Sequence, residues 1–553
     1  MRRPAVLAAL CAVPLLAFAQ SPTDTAPAAK PGEKVVVQGT PAAVPPAGAP
    51  ADANTEGVVH VAGQAINYRA VAGTLTVGAT DAQDATLAFD GKLLPDAGVH
   101  PPDRDKPEEA PPTARIFYTA YFKKAASNEV RPVTFLYNGG PGSSTMWLHM
   151  GSFGPKRVTT TDAQHDPAAP YRMVENQYSL LDVSDLVFID APGTGFSRIM
   201  GKDAAKAFWG TDQDAHAFDR FVRRFLTKYN RWNSPKYLFG ESYGTTRSAV
   251  LSNLLENHLD LNGIMLLSQI FSFDITADGP GANPGTDIAY VAALPSFAAT
   301  AWYHKRVPNQ PADLAPFLKQ VEEYTLGEYA SALLQGSDLP EDRKRAVADK
   351  LNGFTGIPAA YWVKANLRLS GAQFAQQLRG KEDITVGRLD SRYQGPAMDP
   401  LNSESEYDPF TNGISSAFNA AINSYIRNDL NYGEQATYMP SAYALPGFDW
   451  ELRHATPGGG RPDASVNVMS DLASAMKRNP RLKVMLMGGY FDLGTLYFGS
   501  VYEMKHMPMP RVLEDNISYH FFPTGHMVYI NEEGLKGMHE YASAFIRSTQ
   551  TGR

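Results

Sequence analysis

One hexapeptide in the middle of the chain constrains the fold more than any other feature. Residues 239–244 have the sequence Phe-Gly-Glu-Ser-Tyr-Gly, a G-x-S-x-G pattern that follows the apolar run 236–239 and precedes a stretch, 245–258, with apolar residues at helix spacing. The short apolar run predicts a buried strand and the spacing predicts a helix. Ser242 therefore lies at a strand-to-helix turn, where flanking glycines let a nucleophilic serine project. On its own, the pattern also fits a plain structural turn.

Two later strand ends supply the partners that a nucleophilic serine needs. The apolar run 482–487 is followed by Asp492, and the run 517–522 is followed by His526 in a Gly-flanked turn. The chain order Ser242, Asp492, His526, with each residue just past a strand end, is that of an α/β-hydrolase triad. We therefore predict an α/β-hydrolase fold, with a mixed, mostly parallel central sheet and a large helical cap insertion.

Other residues of the same types fit these roles less well. His520 falls within a predicted strand, and His539 lacks the turn position after a strand that lets a base reach another loop. Asp471 falls within a predicted helix. The 12 histidines are scattered without an H-x-x-H or H-E-x-x-H pattern and without cysteine partners, so we expect neither a metal site nor a cofactor.

Five segments, found together and in this order, resemble the signature blocks of the serine carboxypeptidase family. They are 138–142 (Asn-Gly-Gly-Pro-Gly), 188–197, 240–244 (Gly-Glu-Ser-Tyr-Gly), 489–492 and 525–527 (Gly-His-Met). The second block is one residue shorter than the family pattern. The resemblance runs from about Phe117 to the C-terminus and says little about the first hundred residues or the middle of the chain. It implies a peptidase that removes C-terminal residues from peptides.

A reaction scheme follows from these placements. We expect Ser242 to attack a carbonyl carbon while His526 takes its proton and Asp492 holds the imidazole in the correct tautomer. The oxyanion is expected against the backbone N–H of Tyr243, the residue after the nucleophile, and that of Gly140 in the glycine-rich loop. Water then hydrolyses the acyl-enzyme.

The expected pocket for the substrate carboxylate departs from the family pattern. In that pattern an Asn and two glutamates bind the carboxylate; Asn138 and Glu241 match two of them, and Ser152 stands at the place of the other glutamate. A single carboxyl predicts a weaker hold on a free C-terminus and a pH optimum nearer neutrality, unless an acid from the cap or Glu175 restores the pair. The substrate-binding residues expected from the resemblance are Asn138, Gly139, Ser152, Glu241 and Met527.

The N-terminus predicts export. Residues 1–19 contain two arginines, the apolar stretch 5–18 and a small-x-small triplet that favours cleavage after Ala19. The apolar run is shorter than the roughly 20 residues of a bilayer span, so we predict a signal peptide and a periplasmic or secreted protein. The single cysteine, Cys11, lies inside this segment, and the mature chain is expected to have no disulfide.

Composition divides the rest of the chain. Residues 20–56 are rich in Ala, Pro and Thr and predict a disordered linker. Residues 57–272 and 461–553 carry the strand pattern and predict the two parts of the hydrolase core. Between them, 273–460 shows mainly helical patterns, and an insertion of this length predicts a separate cap subdomain.

The net charge limits the classes of molecule that the chain is expected to bind. Removing residues 1–19 deletes Arg2 and Arg3 and no acid, so the net charge goes from −7 to −9. A mildly acidic chain gives no case for nucleic acid or an anionic membrane as a partner. Peptides are the expected substrates. An esterase or acyltransferase using the same triad is the alternative, a non-catalytic binding protein on this fold is a weaker one, and the oligomeric state stays open.

Overall fold

The computed structural model describes residues 51–99, 106, 109–124, 131–457 and 466–550. The predicted signal peptide and the predicted linker up to residue 50 lie outside the described residues. The end of that linker was placed too late, because the first strand begins at Ala53. Residues 53–56 pair with residues 69–72 of the next strand, so the hydrogen bonds of the ladder order a segment whose side chains bury little surface.

A large mixed sheet forms the centre of the molecule. The strands are β1 (Ala53–Val61), β2 (Gln64–Gly78), β3 (Thr113–Lys123), β4 (Val133–Tyr137), β5 (Lys156–Val158), β6 (Met173–Glu175), β7 (Asp185–Ile189), β8 (Arg198–Met200), β9 (Lys236–Glu241), β10 (Gly263–Leu267), β11 (Ile384–Val386), β12 (Gln394–Pro396), β13 (Lys483–Gly489) and β14 (Ile517–Phe522). The main sheet has the order β1-β2-β3-β7-β4-β9-β10-β13-β14, with β8 beside β3. Strands β7, β4, β9, β10, β13 and β14 of this sheet are parallel, whereas β1, β2 and β3 pair antiparallel at its edge. The pairs β5–β6 and β11–β12 form two separate two-stranded antiparallel sheets. The predicted α/β-hydrolase fold, with its mixed, mostly parallel central sheet, is confirmed.

Helices cover both faces of this sheet. They are α1 (Asp81–Asp84), α2 (Met146–Gly151), α3 (Ala204–Phe208), α4 (Thr211–Lys228), α5 (Tyr243–Leu255), α6 (Ile288–Tyr303), α7 (Leu314–Tyr324), α8 (Ala330–Leu334), α9 (Glu341–Thr355), α10 (Ala359–Lys364), α11 (Gly371–Leu378), α12 (Pro409–Ser424), α13 (Met469–Arg478), α14 (Tyr497–Lys505) and α15 (Glu532–Gln550). Within the described ranges, no helix is both long enough and apolar enough to span a membrane.

Alternation along the parallel strands builds two apolar cores, one on each face. On β9, Tyr237 and Phe239 enter the core that α2, α12 and α15 complete, whereas Leu238 enters the core under α4, α5 and α13. All three side chains are fully buried. Because both faces of a parallel strand are covered, apolar residues occupy successive positions in the middle of the strand, which is why these strands appear in the sequence as short continuous apolar runs.

The region expected to be one helical cap has two parts. Helices α6 to α11 form their own apolar core, which also takes in Phe491 and Tyr497 from the loop after β13 and the start of α14. Helix α12 instead packs into the core on the α2 face of the sheet through Phe410, Ile414 and Phe418. Helical periodicity is the same in both parts, so the sequence pattern did not separate them.

A buried histidine ties the end of this insertion to the hydrolase core. His454 is 2% exposed, and its Nδ1 and Nε2 lie 2.6 Å and 2.8 Å from carboxylate oxygens of Asp212 on α4 and Asp471 on α13. Burial lowers the pKa of the imidazole, but hydrogen bonds and charge from the two carboxylates outweigh burial and raise that pKa to about 9. The protonated ring therefore holds two helices and the returning chain together.

This arrangement predicts a loss of stability at alkaline pH. The folded pKa exceeds the usual unfolded value of about 6.5, so the contribution is complete below about pH 6.5 and is lost as pH rises through about 9, at a cost of roughly 3 kcal/mol. We expect His454→Gln to lower the unfolding midpoint at pH 6 and to flatten its decline toward pH 9. The control is His506→Gln, which changes an exposed ring bonded to the carbonyl of Tyr502. Equal declines in the wild type and His454→Gln would contradict the assignment.

Candidate active site

Ser242 lies at the turn between β9 and α5 in a strained backbone conformation. Its φ is 60° and its ψ is −131°, a region that non-glycine residues rarely adopt. The flanking glycines are required by space: a Cβ on Gly240 would collide with the carbonyl oxygen of Gly244, and a Cβ on Gly244 would lie 2.8 Å from that of Tyr137. Unlike Glu241 and Tyr243 on either side of it, the Ser242 side chain is partly exposed. The turn therefore presents this hydroxyl at the carboxyl edge of the sheet.

Asp492 and His526 meet at the ends of the neighbouring strands β13 and β14. Asp492 Oδ2 lies 2.6 Å from His526 Nδ1, and Asp492 Oδ1 accepts the backbone N–H groups of Gly494 and Thr495 at 2.8 Å and 3.0 Å. The Thr495 hydroxyl also donates to Asp492 Oδ2, at 2.6 Å. Four donors thus fix one carboxylate, which in turn fixes the imidazole with Nδ1 as a donor.

The electrostatic surroundings of His526 suit a general base. His526 is 3% exposed; burial lowers the pKa of its imidazole, but the charge of Asp492 and its hydrogen bond more than offset this and raise that pKa above its usual value. A more basic imidazole accepts a serine proton more readily, provided that the solution pH leaves it neutral.

Strand β10 joins the serine to the histidine. The Ser242 N–H donates to the carbonyl of Leu267 at 2.9 Å, and the hydroxyl of the next residue, Ser268, donates to the carbonyl of His526 at 2.6 Å. Among the described residues, Ser242 Oγ forms no hydrogen bond with His526 in this structure. Catalytic hydrogen bonds are often long in free enzymes and tighten when substrate binds.

A strap from the insertion, residues 388–391, lies between the acid loop and the base loop. The carbonyl of Arg388 accepts the N–H of Leu493 at 2.9 Å, and the carbonyl of Leu389 accepts the N–H of His526 at 2.7 Å. Ser391 donates its own N–H to the carbonyl of Phe491 at 2.9 Å. The insertion therefore holds both triad loops in position. No sequence pattern marks this role, since these three contacts are made by backbone groups; the Ser391 hydroxyl adds a fourth, to the carbonyl of Phe491 at 2.9 Å.

The glycine-rich loop brings backbone amides to Ser242. Gly140 has a φ of +110°, which favours glycine. A Cβ on Gly139 would collide with the backbone nitrogens of Tyr243 and Gly244, so only glycine lets this loop approach the start of α5. Tyr243 is the first residue of α5, and the N–H of a first helical residue has no acceptor within the helix. The predicted oxyanion donors, Gly140 and Tyr243, thus lie on two backbones in contact.

Asn138 and Glu241 also lie together. Asn138 Nδ2 donates to Glu241 Oε2 at 2.8 Å, while Asn138 Oδ1 accepts the N–H of Leu148 at 3.0 Å, which fixes the orientation of the amide. Burial raises the pKa of the Glu241 carboxyl to about 7, although the charge of His526 and two hydrogen-bond donors oppose that shift. This carboxyl therefore gains or loses its proton near neutrality.

Ser152 does not act as we expected. It is fully buried, and its only hydroxyl proton is donated to the carbonyl of Leu148 at 2.6 Å, so none is left for a substrate. The reason is its position directly after α2, where the hydroxyl satisfies a carbonyl in the last turn. Glu175 does not restore an acid pair, because it binds the His60 side chain at 2.8 Å. Met527 is buried in the apolar core.

Sequence reasoning missed a second residue that contacts Glu241. The hydroxyl of Tyr529 donates to both oxygens of that carboxyl, at 3.1 Å and 2.9 Å. Tyr529 follows His526 by three residues, and this proximity to the expected base was the only available signal. Within the described part of the chain, no group of His, Cys, Asp or Glu side chains is arranged to hold a metal ion.

Fold and geometry together define the class of the protein as an α/β hydrolase with a serine, histidine and aspartate at adjoining strand ends. Within that class, part of the chain is similar to the serine carboxypeptidase family. Residues 108–267 match the family model described as serine carboxypeptidase. That match includes Asn138, Glu241 and Ser242 and ends before Asp492 and His526, whose positions come from the structure.

Individual relatives match over a limited part of the chain. The pheromone-processing carboxypeptidase KEX1 of Yarrowia lipolytica is 30% identical over 141 residues, which is 25% of this chain and 21% of that protein. KEX1 of Saccharomyces cerevisiae is 29% identical over 162 residues, 28% of this chain and 21% of the relative. The matches thus span about a fifth of the length of these curated relatives.

Solved structures with related architecture are distant. A peroxisomal alpha-beta-hydrolase from Saccharomyces cerevisiae is 11% identical, with a TM-score of 0.33, covering 86% of this chain and 90% of that one. A soluble variant of monoglyceride lipase from the same yeast is 10% identical, with a TM-score of 0.32, covering 79% and 93%. The fold class rests on the strand order described above.

Proposed function

We propose that the chain is an exported serine carboxypeptidase that removes C-terminal residues from peptides through an acyl-enzyme on Ser242. The observation that carries the proposal is the buried Glu241 carboxyl, bonded to Asn138 and adjacent in sequence to the partly exposed serine. When protonated, this carboxyl can donate to a carboxylate, which a free peptide C-terminus supplies and an ester or amide end does not. The relatives' carboxypeptidase names and the family match support the same activity.

The reaction follows from the placement of the side chains. Ser242 Oγ bonds to the carbonyl carbon of the last peptide bond while its proton passes to His526 Nε2, and the oxyanion accepts the N–H groups of Gly140 and Tyr243. The C–N bond then breaks, and His526 gives the proton to the departing amine. Water attacks the acyl-enzyme with His526 again as base, which releases the shortened peptide and regenerates the hydroxyl. Asp492 stabilises the imidazolium in both steps.

Location is a separate element of the proposal. The arginines and apolar stretch of residues 1–19 support export, with the mature protein in the periplasm or outside the cell. No cofactor enters the proposed chemistry.

A substrate panel tests the proposal. Blocked dipeptides with a free C-terminal carboxylate, the same peptides with an amidated C-terminus, and aryl esters would be incubated with the enzyme near pH 6, with products identified by mass. We expect efficient release of the last residue from the free acids and little from the amides. Turnover of esters alone would favour an esterase or acyltransferase. No turnover of any of the three substrate types would favour a binding protein.

A further inference from the structure

Tyr529 occupies a distinctive place beside the expected carboxylate pocket. Its side chain is 2% exposed, and its hydroxyl reaches both Glu241 oxygens, at 3.1 Å and 2.9 Å. Asn138 Nδ2 also donates to Glu241, at 2.8 Å, so the buried carboxyl accepts hydrogen bonds from two neutral donors. The residue lies in the loop between β14 and α15 and was assigned no role by sequence reasoning.

The ring also fills the space next to Ser152. A Cβ on Gly151 would lie 2.6 Å from two ring carbons of Tyr529, so the phenol packs against the backbone just before Ser152. The Ser152 hydroxyl is committed to the carbonyl of Leu148. The structure thus sets a tyrosine from another part of the chain beside the position that carries a second glutamate in the family pattern.

We propose that Tyr529 is a positioning residue that replaces a second carboxyl group, holding Glu241 so that one carboxyl and one phenol serve the pocket for a substrate's terminal carboxylate. This inference rests on the proposed carboxypeptidase function and names how that function depends on pH.

The chemistry differs from that of two paired carboxyls. Two acids that share a proton titrate as a coupled pair, whereas Tyr529 stays protonated, because burial and the charge of Glu241 raise the pKa of its phenol well above the usual value. Glu241 therefore titrates as a single acid, near its pKa of about 7. The other charged groups that act on it are His526, which favours the ionised form, and Asp492, which opposes it. Asn138 is a neutral donor.

The sign of the pH dependence follows. Protonated Glu241 donates to the substrate carboxylate, while ionised Glu241 repels it, so binding of a free-acid peptide weakens as pH rises through about 7. The phenol donates to the ionised form and thus holds the pKa of Glu241 down. Its removal is expected to move the alkaline limb of binding to higher pH.

The test compares Tyr529→Phe with Tyr329→Phe. The control removes an equally buried phenol hydroxyl, which donates to the carbonyl of Leu367 in the insertion. We expect the alkaline limb of kcat/KM for a free-acid peptide to shift upward by about one pH unit in Tyr529→Phe, as loss of one hydrogen bond to a charged group implies. The shift should be expressed in KM and be absent from Tyr329→Phe. If the alkaline limb of kcat/KM does not move in Tyr529→Phe, or moves equally in both variants, the proposed role of Tyr529 is wrong.

A binding measurement separates this inference from the proposed function. In the Ser242→Ala background, calorimetry would follow binding of a blocked amino acid with a free carboxylate from about pH 5 to about pH 9, spanning the pKa range of interest, with and without Tyr529→Phe. We expect a midpoint near 7 that rises by about one unit when the phenol is lost. Binding with an unmoved midpoint would refute only the role of Tyr529. No binding at any pH, together with no turnover of free-acid peptides by the wild type, would refute the proposed function itself.

Discussion

Ser242→Ala is expected to lower kcat for a free-acid peptide by about a million-fold, because loss of the nucleophile removes the covalent route entirely. Its unfolding midpoint should stay close to that of the wild type, since the side chain is small and partly exposed. Steady-state kinetics and thermal unfolding check the two halves of this expectation.

The matched control for the nucleophile is Ser331→Ala, which removes an exposed hydroxyl from helix α8. That variant should keep the activity and stability of the wild type. Retention of more than about a thousandth of the activity in Ser242→Ala would exceed the residual catalysis known for disabled triads and would show that another residue is the nucleophile.

Asp492→Asn is expected to lower kcat by roughly ten-thousand-fold. An amide facing His526 Nδ1 at the 2.6 Å distance of the present contact favours the imidazole tautomer with its proton on Nε2, which cannot accept the serine proton. The pH profile should also lose its dependence on an imidazole of raised pKa. Combining this change with Ser242→Ala should cost little more than the serine change alone, because triad residues act as a unit.

Asp471→Asn is the informative control for the acid. This aspartate is also buried after the insertion, but it binds His454 at 2.8 Å rather than His526. We expect it to lower stability while leaving kcat near the wild-type value. The opposite pattern, with loss of kcat in Asp471→Asn and not in Asp492→Asn, would show that the acid was assigned to the wrong residue.

Much of the fold was predictable because parallel strands and amphipathic helices leave local marks. The apolar runs before Ser242, Asp492 and His526 predicted the strands. The position of each residue just past a strand end predicted the edge of the sheet at which the three meet. The G-x-S-x-G spacing predicted the strained turn for a steric reason that the collision of Gly240 with Gly244 bears out.

What was missed depends on contacts between distant parts of the chain. The strap at 388–391 acts mainly through backbone carbonyl and N–H groups, which every residue type supplies. Tyr529 reaches Glu241 across 288 positions of sequence, and the commitment of the Ser152 hydroxyl to Leu148 becomes visible only once the end of α2 is placed. Helix α12 has ordinary amphipathic spacing, so its choice between two cores is set by tertiary packing.

The most direct test of the central claim is labelling with a serine-directed phosphonate, followed by proteolysis and mass spectrometry. We predict a single adduct on the peptide that contains Ser242, formed in parallel with loss of peptidase activity, absent from Ser242→Ala and strongly slowed in Asp492→Asn. Loss of activity with the adduct on another serine, or full activity with Ser242 completely labelled, would contradict the assignment of Ser242 as the nucleophile of this hydrolase.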